Sequence, residues 1–83
     1  MATVSEILTS ATDSVNLING VKAGSWEVMD MTQTEINEMV QRNVDHLETI
    51  LEYTDPDVKG SSDDKTSYTT AVTTGKTYIT DNS

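Results

Sequence analysis

Residues 32–56 constrain this chain more than any other stretch. Thr32-Gln33-Thr34-Glu35 has the form of a capping box, in which a Thr hydroxyl and a Glu carboxylate satisfy each other's backbone N–H at a helix start. Ile36, Met39, Val40, Val44, Leu47, Ile50 and Leu51 then recur at three and four residues, so they form one apolar stripe. Asp55-Pro56 closes the run, because the residue before a proline is pushed out of the α region. A helix over about 33–53 follows, and other elements must cover its stripe.

Two segments can supply that cover. Val4, Ile7, Leu8, Ala11, Val15 and Ile18 share one face of a helix over about 3–19. Thr3 is its candidate cap, Glu6 takes the capping-box position, and Asn19-Gly20 is the candidate stop. Val21 is still placed to pack against the core. The last segment, SSDDKTSYTTAVTTGKTYIT, reads two ways. As a helix over about 62–80 it has Ser61 or Ser62 as cap and Asp63 and Asp64 in its first turn. Tyr68, Ala71, Val72, Gly75, Tyr78 and Ile79 then fall on one face. Its Thr, Tyr and Val content also suits strands, with Thr73-Thr74-Gly75-Lys76 as a hairpin turn. In a strand the neighbours Tyr78 and Ile79 would point to opposite sides, which favours the helix.

The expectation is an all-α fold, a single small domain over 1–83 built as an up-down-up three-helix bundle. The connectors fall at about 20–31 and 54–61. The alternative is two helices plus a C-terminal β-hairpin. Within the first connector Gly24-Ser25 marks a turn, and Trp26 is expected to cover one end of the core.

Composition removes several classes of function. With no Cys, disulfides and thiolate metal sites are impossible. Only 35% of the chain is hydrophobic, so the core is small, and completion by further copies or a larger assembly is expected. No apolar run approaches the ~20 residues of a membrane span. The stretch MATVSEILTSATDS lacks the basic start and apolar run of a signal peptide, which suggests host cytoplasm or a particle assembled there. The net charge is -9, and residues 23–60 hold nine acids against Arg42 and Lys59. That balance disfavours direct binding to nucleic acid or to an anionic membrane.

The only His and the only Arg lie in MVQRNVDHLETI, residues 39–50. A metal-dependent site around His46 and Asp45 needs further ligands at helical spacing. The Glu of a Glu-x-x-His pair would stand at position 43, which is Asn43. Asn43 at the border of the stripe suits a hydrogen bond to another helix or to its own backbone. Glu38 and Asp45 stand four before and three after Arg42, spacing that suits surface ion pairs. No Gly-x-Ser-x-Gly elbow exists. Gly75-Lys76-Thr77 resembles the tail of a phosphate loop, but Thr70 stands where its first glycine belongs. The acidic segment DPDVKGS at 55–61 lacks the spacing of a calcium loop. Neither catalytic, metal nor cofactor-binding residues are assigned.

QRNVDHLE at 41–48 and TTGKTYI at 73–79 resemble segments of small uncharacterised proteins of tailed bacteriophages, marine or cyanobacterial and myovirus-like. The similarity covers roughly residues 26–80 and implies a small virion or accessory protein with no enzymatic site. The functional expectation is therefore a non-enzymatic structural or protein-interaction module, with a protein partner or further copies of itself. Trp26, Glu38, Arg42, Asp45, His46 and Glu48 are its candidate contacts. The alternative is an acidic inhibitor, in which Glu35, Glu38, Asp45, Glu48 and Glu52 mimic a phosphate row against a basic site on a host protein.

Overall fold

The computed structural model describes residues 4–52 and 62–83. They form three helices, α1 (Val4–Ala23), α2 (Gln33–Glu52) and α3 (Ser62–Asp81), each packed against the other two. Cross-helix contacts set the directions. Ser10 meets His46 and Ser14 meets Asn43, so α2 runs back along α1. Glu48 meets Lys76 while Asn37 meets Asn82, so α3 runs back along α2. The result is the up-down-up three-helix bundle.

The core is one cluster drawn from all three stripes. Ala11, Ile18 and Val21 come from α1, and Ile36, Val40, Val44, Leu47 and Ile50 from α2. Tyr68, Ala71 and Val72 complete it from α3. Burial of these faces is the main stabilising term for helices that are weak alone. The capping box at the start of α2 forms as expected: Thr32 N–H donates to Glu35 Oε1 (3.0 Å) and Glu35 N–H donates to Thr32 Oγ1 (3.2 Å).

The C-terminal segment is helical, not a hairpin. Thr73 to Lys76 lie inside α3. The threonines are accommodated because Thr69, Thr73 and Thr80 each donate their hydroxyl to the carbonyl four residues back. Gly75 is buried where the three helices converge. A Cβ there would strike a Val44 methyl and come within 3.3 Å of Val40 and 3.5 Å of Ile18. The glycine thus sets how closely α3 approaches α2.

The expected stop of α1 at Asn19-Gly20 is corrected: the helix continues to Ala23. Gly24 takes φ +78°, Ser25 N–H donates to Gly20 O (2.9 Å) and Gly24 N–H to Val21 O (3.2 Å). This pair of bonds is a Schellman motif with Gly24 as its left-handed residue. The extra turn is favoured because it brings Val21 into the core at 8% exposure. The first connector is accordingly shorter, 24–32. Trp26 does not cover the core end. Val28 and Met31 pack there instead, while the indole lies against Gly20 and stays 40% exposed. The Thr3 cap, the Ser61 cap, the Asp55-Pro56 stop and the 55–61 loop lie outside the described residues.

Candidate interaction surface

Helix α2 presents three strips to its surroundings. On the flank toward α1, His46 Nε2 lies 2.8 Å from Ser10 Oγ, and Ser10 Oγ lies 2.7 Å from Ile7 O. A serine hydroxyl has one proton and a carbonyl can only accept, so that proton goes to Ile7. His46 is then the donor, through Nε2–H, and its neutral form is the Nε2–H tautomer. The polarity is opposite to that of a base deprotonating a nucleophile. His46 acts as a tie between α1 and α2.

One turn further along the same interface, Ser14 is buried at 4% exposure and donates to Asn43 Oδ1 (2.8 Å). Asn43 Nδ2 donates to Met39 O (2.8 Å). Asn43 thereby bonds both another helix and its own backbone. No buried side-chain polar atom among the described residues lacks a partner. Ser14 was not among the expected core residues, although a signal existed. Ile7, Ala11, Ser14, Ile18 and Val21 follow an alternating four-three spacing, and Ser14 is the polar member of that seam.

On the flank toward α3, Lys76 Nζ lies 3.1 Å from Glu48 Oε2. Both side chains are about half exposed, so the pair contributes at most ~0.2–1 kcal/mol. Between the flanks lie Glu38, Arg42 and Asp45, all exposed. The expected Arg42 pairs with Glu38 and Asp45 are not formed: Lys76–Glu48 is the ion pair among the described residues. Asp45 accepts instead from Gln41 Nε2 (2.8 Å). In water an exposed i,i+4 pair gains too little to hold a long Arg side chain in one geometry. Glu38 lines a shallow apolar groove with Ile79 between α2 and the end of α3.

Trp26 is not part of this row. It sits in the α1–α2 turn with Met29, and the two are the exposed large hydrophobic residues among those described, at 40% and 85%. Met29 has φ +42°. Met31 N–H donates to Val28 O (2.9 Å), which makes Met29 the first central residue of a tight turn. A positive φ at that position is a backbone conformation that favours glycine. A side chain in this region costs about 1–2 kcal/mol. The sequence carried no sign of it, since Val-Met-Asp-Met contains no turn residue with that preference at position 29.

The Glu35 carboxyl is held below its ordinary range by the Thr32 backbone N–H, and secondarily by the Thr32 hydroxyl. Among the described residues no three His, Asp or Glu side chains converge as a metal site. No described helix is long and apolar enough to cross a membrane. No protein family, curated protein or solved structure matches the chain at a significant level.

Proposed function

We propose that this chain is a non-enzymatic helical interaction module, and in its most concrete form a small component of a tailed-phage particle. One observation carries the reading. Two polar side chains at the border of the α2 stripe are occupied within the bundle, His46 by Ser10 and Asn43 by Ser14 and Met39, while two large apolar side chains are left exposed at one turn. The Ser14–Asn43 pair, which is partly buried, supports register and rigidity, and the exposed Ser10–His46 contact adds a tie at the surface. The phage version rests on the resemblance of residues 41–48 and 73–79. Copurification with assembled particles at fixed stoichiometry is the expected result, and absence from purified particles removes that version.

The exposed carboxylates of α2 favour a second reading, an acidic mimic directed at a basic site. Arg42 interrupts that row and Lys76 neutralises Glu48, which weakens it. Under this reading, charge reversal at Glu38, Asp45 and Glu48 abolishes binding to the partner. Unchanged binding excludes it.

A further inference from the structure

The α1–α2 turn joins an apolar tip to a rim of carboxylates. Glu27, Val28, Met29, Asp30, Met31 and Glu35 line a shallow depression. Half-buried Val28 and Met31 form its floor and rest on the core, whereas Met29 stands out at 85% exposure. Glu27, Asp30 and Glu35 are all exposed, and no Lys or Arg occurs between Lys22 and Arg42. Lys22 ends the neighbouring helix, yet it forms no ion pair with these acids among the described residues. The Glu35 carboxyl is held in place by the capping box, so one edge of the rim is fixed. Trp26 stands at the same turn, its ring braced on Gly20.

We propose that this turn is the docking surface of the module, and that its occupant is an apolar side chain flanked by Lys or Arg in a segment of another protein. The inference rests on the interaction-module reading and names its surface and its partner's chemistry. Charge complementarity selects the occupant. A second copy of this chain would bring three carboxylates against three like charges, and nucleic acid or an anionic membrane would be repelled. A cationic segment gains attraction from the rim and contact area from Met29 and Trp26, residue types well suited to adaptable and anchoring contacts.

The test uses amide chemical shifts of the 15N-labelled protein. One probe is a synthetic peptide of alternating leucine and lysine, and the other is the same peptide with its leucines replaced by serine. The expected result is shift changes concentrated in residues 26–35 with the leucine peptide. Affinity should be about tenfold lower for the serine peptide and for the Met29→Gly variant, which removes the side chain and can only relax the backbone. Equal binding of the two peptides overturns the proposal, as do shifts that follow Glu38, Asp45 and Glu52 along α2, because charge alone would then be acting. Concentration-dependent shifts of residues 26–35 without peptide assign the turn to a second copy and also overturn it. These readings are taken on the isolated protein. A failure here therefore stands apart from failure to copurify with particles, which bears on the broader reading.

Discussion

Gly75 and Gly20 both lie inside helices, yet the same substitution should move stability in opposite directions. Alanine in a helix interior is favoured over glycine by about 1 kcal/mol. At Gly75 the added methyl meets Val44, which is fully buried, β-branched and unable to turn aside. Overpacking costs about 1–3 kcal/mol against that gain, so Gly75→Ala is expected to destabilise by up to about 2 kcal/mol and lower Tm by up to roughly 8–16 °C. At Gly20 the neighbours are Trp26 Cε3 at 3.2 Å and Trp26 Cβ at 3.3 Å; the Trp26 backbone is bonded through its N–H to Gly20 O (3.1 Å), so it need give only a few tenths of an ångström while the exposed indole turns outward. Gly20→Ala should raise stability slightly and shift the fluorescence of the sole Trp toward longer wavelength. Ser14 gives a third case. Ser14→Ala strands Asn43 Oδ1 and should cost about 1–3 kcal/mol in chemical denaturation, whereas Ser14→Ala with Asn43→Leu should recover most of the loss. Ser14 escaped the sequence reading because a serine in a stripe looks like a gap until its partner on α2 is known.

Helix α2 is the element most legible from sequence, since both its cap and its stripe are written locally. Its N-terminus should also carry a pH dependence. Glu35 has a folded value below its unfolded one, so its contribution is fully present above the ordinary glutamate range. It is lost as pH falls through the lowered folded value. Protection of the first-turn amides of α2, measured as exchange relative to the intrinsic rate at each pH, should therefore fall under acid conditions, and Glu35→Gln should remove that dependence while keeping an acceptor for Thr32 N–H. Helix α1 was less legible. Asn19-Gly20 and Gly24 are both acceptable stops by local chemistry, and burial of Val21 chose the later one. Helix α3 carried a conflict between strand propensity and helical periodicity. Packing of Tyr68, Ala71, Val72 and Gly75 against α1 and α2 resolved it, with the hydroxyl back-bonds helping the threonines fit.

For the molecule as a whole, the acidic surface and the apolar turn make different predictions about salt. Binding through the carboxylates of α2 alone would weaken steeply as ionic strength rises, because exposed charges are screened within about 10 Å at 0.1 M. Docking on the Trp26–Met29 turn should retain part of its affinity at high salt, through the apolar contact. Met29→Gly should separate the two. It is expected to leave the bundle intact and to raise its stability by about 0.5–1 kcal/mol through relief of the left-handed backbone, as read by thermal unfolding.

The sequence by itself determined that α1 and α2 are helices, the start of α2 and most of the residues that face inward. These follow from capping chemistry and from a period of 3.6 residues, which act over a few neighbours. The tertiary structure decided where α1 ends, that Ser14 pairs with Asn43, that Lys76 rather than Arg42 carries the ion pair, and that Met29 takes a left-handed backbone. Each depends on which side chain stands across an interface or on how two helices must be joined. That information arises only once distant parts of the chain are packed together.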